Sequence, residues 1–335
     1  MISLKSNKLK ALAAGLMLTL ALGALGCGGD KKEAGAKAEK VNVGIVQLVE
    51  HEALDAANKG FVDGLASKGY KEGQNITFDK QNAQADQSNL QNIAHRFVNN
   101  KVDLICAIAT PAAQTVANVT SDIPIVATAV TDYKTAKLVK DDAKPGTNVT
   151  GTTDMNPVAE QLDLLLKLVP NAKTIGTIYC SSEVNSQLQV ELLKKAAAAK
   201  GITVKEATVS TVNDIQQAAR SLTGDVQAVY VPTDNVLASA IPTLISVTEE
   251  AKLPVICAEG GMVRAGGLAT LGVDYYKLGF QTGVMAADIL SGKSKPADMA
   301  IQAQKEFKPT INLKEAAKIG LKVPEELLKG AEVIK

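Results

Sequence analysis

The residues equipped for chemistry sit in short polar segments that interrupt apolar runs. Asp234 and Asn235 follow Pro232-Thr233 at the end of the apolar run 226–231. A carboxylate there would hold an ammonium group through charge-assisted hydrogen bonds, although Pro, Asp and Asn also make ordinary turns. Glu259 and Asp274 end later apolar runs and could share that cation, with Glu183 and Asn185 adding polar contacts. In the first half of the chain, Thr110-Pro111 opens a helical stretch, with Thr110 as N-cap and Pro111 as first helical position. A helix start offers free N–H groups to a carboxylate or phosphate; plain capping is the alternative. Gln47, Thr131 and Asp132 also close apolar runs. Glu50 and His51 suggest an acid–base pair, but no nucleophile or metal motif joins them, and a solvated loop accounts for them as well. Glu50 stays, with Gln47, among the candidate ligand contacts.

Signals for catalysis fail on context, so no catalytic residue, metal or cofactor is expected. Gly292-Lys293-Ser294 echoes a phosphate loop, yet Ala287 occupies the first glycine position and the segment trails a helix instead of a strand. No GxGxxG follows the first apolar run and no GxSxG occurs. The two His stand remote from any Cys or acidic cluster, which gives no metal-ligand spacing. Across 335 residues, 36 Lys+Arg nearly balance 35 Asp+Glu, leaving no field to grip nucleic acid. A hydrophobic share of 46% supplies a globular core and excludes disorder.

The elements that must position these residues alternate. Apolar strand candidates cover 41–48, 75–81, 102–107, 123–127, 174–180, 202–207, 226–231, 254–257 and 268–271. Amphipathic helices lie between them, such as 53–67 and 87–99, where Leu90, Ile93, Ala94, Phe97 and Val98 recur at helical spacing. Such alternation indicates parallel βαβ units. The second half repeats the first: the segment from Leu90 to Ile105 aligns with that from Ile215 to Val229, Pro124 answers Pro254, and Asp154 answers Asp274. Two α/β lobes, each a doubly wound parallel sheet, joined by a hinge, are therefore expected. Lobe 1 spans 41–153 plus 276–305, and lobe 2 spans 154–275 plus 306–335. Ligands of such sheets bind beyond the carboxyl ends of the strands, so the polar segments of both lobes should line one cleft. Asp154 should sit at a lobe crossing, and Tyr133, Tyr179, Tyr230, Tyr275 and Tyr276 near strand ends.

The first 26 residues read as a leader. Lys5, Lys8 and Lys10 precede a 15-residue apolar run, 11–25, too short to span a membrane. Ala24-Leu25-Gly26-Cys27 resembles a bacterial lipobox, with Cys27 the lipidated N-terminus and 27–40 a flexible tether. Losing the leader removes those three Lys and leaves 33 basic against 35 acidic residues. Cys106, Cys180 and Cys257 have no regular spacing and read as buried thiols.

Longer motifs carry a resemblance. Val43-Gly-Ile-Val-Gln-Leu-Val-Glu-His, Phe61-Val-Asp-Gly-Leu, Gln81-Asn-Ala-Gln-Ala-Asp-Gln, Ala107-Ile-Ala-Thr-Pro-Ala-Ala-Gln, Pro232-Thr-Asp-Asn and Asp274-Tyr-Tyr-Lys-Leu-Gly resemble the substrate-binding lipoproteins of ABC importers. The subgroup is the one with tryptophan- and phenylalanine-binding members. Cys180 departs from an Asn usual in that family and Tyr133 from a Pro. The resemblance implies a type I periplasmic-binding-protein-like fold, a monomer anchored outside the membrane, and delivery of a small amino acid-like ligand, aromatic favoured, to an ABC permease. First-lobe backbone donors would hold its carboxylate and second-lobe acids its ammonium. A ligand sensor reporting to a membrane receptor and a cleft enzyme are the rival readings. A sugar-responsive transcription regulator would need a DNA-binding segment where the leader stands.

Overall fold

A computed structural model describes residues 40–335. The leader, Cys27 and all of the tether except Lys40 lie outside the described residues. The first lobe begins as β1 (Val41–Gln47), α1 (Glu52–Ser67), β2 (Ile76–Asn82), α2 (Gln87–Asn99), β3 (Leu104–Ile108), α3 (Thr110–Val119), β4 (Ile125–Val130) and β5 (Val149–Thr153). The second follows as α4 (Val158–Leu168), β6 (Thr174–Cys180), α5 (Val184–Ala198), β7 (Thr203–Val209), α6 (Ile215–Leu222), β8 (Ala228–Val231), α7 (Asn235–Ser239), α8 (Ile241–Glu250), β9 (Val255–Cys257), α9 (Gly260–Arg264) and β10 (Ala269–Gly272). The chain then returns to the first lobe through α10 (Tyr275–Leu290) and β11 (Gln302–Ala303). It ends in the second with β12 (Lys308–Asn312), α11 (Leu313–Ile319), α12 (Glu325–Leu328) and β13 (Glu332–Ile334).

The sheets run β11-β5-β4-β3-β1-β2 and β13-β12-β10-β9-β8-β6-β7. In each, the second strand in sequence lies outside the first and the later ones on its other side, so strand order reverses beside β1 and beside β6. The first sheet is parallel throughout, with fully buried β3 and β4 reading as continuous apolar runs. The second sheet is parallel from β7 to β10, as expected, and adds an antiparallel edge: β12 pairs antiparallel with β10, and β13 runs parallel to β12. Neither strand has an apolar run to announce it, since β12 reads KPTIN and β13 is three half-buried residues.

Two helix starts in the first lobe are uncapped by side chains. Ala109, with φ 89°, precedes α3, and His51 precedes α1. Thr110 is therefore the first helical residue instead of the N-cap, and Pro111 the second. A bulge shifts the β4–β5 register between Ala127 and Val130, with Ala129 at φ 56°. Beneath it Tyr133 is core, not cleft: its hydroxyl donates to Ala127 O at 2.8 Å and lies where a Cβ on Gly151 would stand.

Helix α10 packs on α1 along a seam of four glycines. A Cβ on Gly60 would lie 2.1 Å from Tyr276 O, on Gly64 2.3 Å from Phe280 O, on Gly279 1.9 Å from Ala57 O, and on Gly283 2.2 Å from Phe61 O. Both helices carry the glycines four apart, so one face of each is backbone and the axes approach closely. Gly279→Ala is expected to destabilise the protein by about 1–3 kcal/mol through overpacking, despite the roughly 1 kcal/mol gain in helix propensity. Urea unfolding measures it, and an unchanged or raised midpoint would contradict the seam.

Candidate ligand site between the lobes

The carboxyl ends of both sheets meet in one cavity. Its lining comprises His51, Leu54, Ala129 and Thr131 from the first lobe, Asp154 and Tyr275 from the crossings, and Asn185, Thr233, Asp234, Asn235, Ala238, Glu259 and Met262 from the second. No Lys or Arg is among these residues. Among the described residues, two polar side-chain interactions bridge the lobes directly: His51 Nε2 meets Asn235 Oδ1 at 3.2 Å, and Arg264 on α9 pairs with Glu52 on α1. At the crossings, Tyr275 donates its hydroxyl to Asp154 Oδ2 at 2.7 Å, while Thr131 donates to Asp154 Oδ1 at 2.9 Å.

The acids of the second lobe are held at helix starts. Asp234 caps α7, accepting from Leu237 N at 2.9 Å, and its other oxygen accepts from Cys180 N at 2.6 Å and Ser186 Oγ at 2.7 Å. Glu183, behind the lining, accepts from Asn235 N at 3.0 Å, Val236 N at 3.2 Å and the amides of Asn235 and Asn185 at 2.5 and 2.9 Å. Glu259 caps α9 through Gly261 N and Met262 N. The turn reading of Asp234 is thus its structural role, and the residue also lines the cavity.

Of the other candidates from the sequence, Thr131, Asn185, Asn235 and Glu259 line the cavity with Asp234. Six do not. Gln47 spends its amide inside the first lobe, donating to Val49 O and Asp55 Oδ1 and accepting from Asn58. Glu50 is exposed, Pro111 is half-buried on α3, and Asp132 caps a turn through Thr135 N at 2.7 Å. Thr110 accepts from Thr131 N at 3.4 Å, so it positions a lining residue. Asp274 caps α10 with its side chain 40% exposed. The tyrosines divide similarly. Tyr230 is buried against Gln161, Tyr179 bonds Glu206, Tyr276 is exposed, and of the five only Tyr275 reaches the cavity. Sequence reasoning passed over His51 as loop and missed Leu54, Ala238 and Met262, which look like any helical residue near a strand end. Asp154 and Tyr275 were marked by the internal repeat and by following Asp274.

Burial dominates the electrostatics. It raises the carboxyls of Asp154 and Asp234 above their ordinary range, and that of Glu259 to about 7. Glu183 is pushed to about 8 by burial and then by the neighbouring charge of Asp234. Burial also lowers the His51 imidazole, favouring its neutral form. Four buried acids thus surround a cavity whose lining residues include no Lys or Arg.

Residues 42–335 match a family described as ABC transporter substrate binding protein. A tyrosine-binding protein of Clostridioides difficile (strain R20291) is 48% identical over 265 residues, 79% of this chain and 76% of that one. Among solved structures, an ABC domain from Streptococcus pneumoniae in complex with L-Trp is 41% identical, covering 89% of this chain and all of that one, with a TM-score of 0.85. The ligand-free, open structure of a substrate-binding protein with adhesive properties from Clostridium difficile is 45% identical over 88% of this chain and 99% of that one, yet its TM-score is 0.68. The higher identity with the lower score places this lobe arrangement nearer the L-Trp complex.

The Glu183 carboxyl gives a pH signature. The folded chain keeps a proton that the unfolded chain releases near pH 4.5, so this group's contribution to stability falls as pH rises from about 5 to about 8. Glu183→Gln removes that term. Relative to the variant, the wild type should lose roughly 1–3 kcal/mol between pH 5 and 8, read by urea unfolding at both values. A pH-independent difference would refute the buried protonated acid.

Proposed function

The chain belongs to the ABC transporter substrate-binding protein family, and from that premise we propose that it carries an aromatic amino acid between its lobes. Its family is one of solute-binding proteins, not of enzymes. The observation that carries the ligand reading is the polarity of the cavity. The second lobe presents carboxylates bound to helix starts, and the first lobe presents helix α1 beginning at His51 with no side-chain cap. An amino acid lies along this gradient with its ammonium toward the second lobe and its carboxylate toward the N–H groups of the first. The Tyr275 ring, Leu54, Met262, Ala129 and Ala238 give the side chain an apolar bed. The tyrosine and L-Trp relatives support the same class.

A ligand gripped from both sides stabilises the apposed lobes over separated ones. The apposed form is the one recognised by a permease, which then receives the ligand; no bond is made or broken in the binding protein. The protein works outside the membrane as a monomer, tethered through lipid on Cys27.

A thermal-shift screen across the amino acids tests the ligand class. L-tyrosine, L-tryptophan or L-phenylalanine at a hundredfold excess over Kd is expected to add about 2.7 kcal/mol of stability, a rise of several degrees. Silence from all three would reject the reading. For the anchor, Cys27→Ser should move the protein from the membrane fraction to the soluble one; unchanged sedimentation with membranes would reject lipidation.

A further inference from the structure

We propose that the ligand's amino group is received directly by two neutral acceptors, His51 Nδ1 and Asn185 Oδ1, which Glu183 holds in orientation from behind the cavity. This rests on the amino acid reading above and assigns the contacts within it. The carboxylates that line the cavity already have protein donors on their oxygens: Asp154 from Thr131 and Tyr275, Asp234 from Leu237, Cys180 and Ser186, and Glu259 from Gly261 and Met262. Among the described residues, His51 Nδ1 and Asn185 Oδ1 are the buried side-chain atoms of the lining that lack a hydrogen-bond partner.

Both are acceptors, and the bonding around Glu183 shows why. Asn235 donates its amide to Glu183 Oε2 at 2.5 Å, which turns its carbonyl Oδ1 to His51 Nε2 at 3.2 Å. A carbonyl cannot donate, so Nε2 carries the imidazole proton and Nδ1 keeps its lone pair. Burial favours the neutral ring that this requires. Asn185 donates to the same Glu183 oxygen at 2.9 Å and to Thr233 O at 2.8 Å, leaving Oδ1 without a donor although the residue is only 4% exposed. A buried acceptor without a donor is costly, and a group bringing several N–H bonds relieves it. An alkylammonium brings three. The buried acids supply the surrounding field, and the neutral acceptors supply the contacts. Because His51 belongs to the first lobe and Asn185 to the second, the amino group also bridges them.

Calorimetry with L-tyrosine, L-tryptophan and the deaminated analogue 3-(4-hydroxyphenyl)propanoate tests this on the wild type, His51→Phe and Asn185→Leu. The wild type should prefer L-tyrosine over the analogue by at least tenfold. Each variant should lose at least tenfold in amino acid affinity and little for the analogue, so the preference collapses. Variants that bind both amino acids as the wild type does overturn the assignment while leaving the ligand class intact. A wild type that binds neither amino acid overturns both. Variants that lose affinity for L-tyrosine and the analogue alike, but not for L-tryptophan, would assign the acceptors to a side-chain hydroxyl and also overturn the proposal.

A second measurement reads the deciding signal in the wild type and does not depend on His51→Phe or Asn185→Leu folding. The chain has two His, so the 15N imidazole signals of His51 are assignable with His95→Gln. They should report the Nε2–H tautomer in wild type and a mixture in Asn235→Leu, where Asn235 acts only as a positioning residue. An Nδ1–H tautomer in wild type overturns the proposal.

Discussion

Four carboxylates, Asp154, Glu183, Asp234 and Glu259, lie buried around one cavity, and the rest of the site depends on how they are kept there. An isolated ionised carboxylate in a low-dielectric interior is untenable. Three of these are held by the N–H groups of helix starts, where the peptide dipoles present positive charge. Asp154 is held instead by two hydroxyls from segments far apart in sequence. All four anchors are fixed by the fold, so the placement of the acids around the cavity is set before any ligand arrives. Protonation is the alternative response to burial, and burial raises all four carboxyls while their hydrogen bonds lower them.

The same constraint decides where the molecule can bend. Helix α10 starts in a crossing segment, where the Tyr275 hydroxyl holds Asp154, and then locks against α1 through the glycine seam. Helix α1 begins at His51, so the seam joins the crossing to the first-lobe wall of the cavity. Backbone packed against backbone leaves that joint no slack. A rotation of one lobe against the other must therefore be absorbed in the three connecting segments, 153–158, 272–275 and 303–308. The carboxyl ends of both sheets lie beside these segments, so a small change in their dihedrals alters the spacing between the two walls.

Much of the fold was legible because buried parallel strands announce themselves. Runs such as 104–108 and 174–180 are apolar enough to be read alone, and helix 87–99 carries its apolar stripe openly. The antiparallel edge was not, because β12 and β13 are short, half-polar strands whose pairing is set by the chain's return from the first lobe. At the site, Asp234 was found by type and position, yet its dual character was hidden: the residue that makes a turn also lines the cavity. Gln47 shows the opposite case. It ends a strand as a ligand contact should, but Asp55 and Asn58 one and two turns into α1 claim its amide. Helical spacing shows that those side chains share a face, not that the face turns toward the strand. His51 escaped because its partner, Asn235, lies 184 residues away on the other lobe.

Closure by a ligand requires that the apposed lobes not be strongly favoured without one, and the bridging contacts meet that condition. The pair of Arg264 with Glu52 is largely exposed, and such pairs contribute about 0–1 kcal/mol. The bond from His51 to Asn235 is a single neutral one, of about 1 kcal/mol net. Against them stand the buried acids on one wall and, on the other, His51 at the uncapped start of α1. On the proposed reading, a molecule carrying both an ammonium and a carboxylate satisfies both walls at once, while a molecule with either charge alone satisfies one. On that reading the difference between lobe arrangements is supplied mainly by the ligand, as selection of one conformation by a ligand demands. A fold with stronger bridges of its own would stay shut, and one with a neutral cavity would close on any apolar solute that fitted.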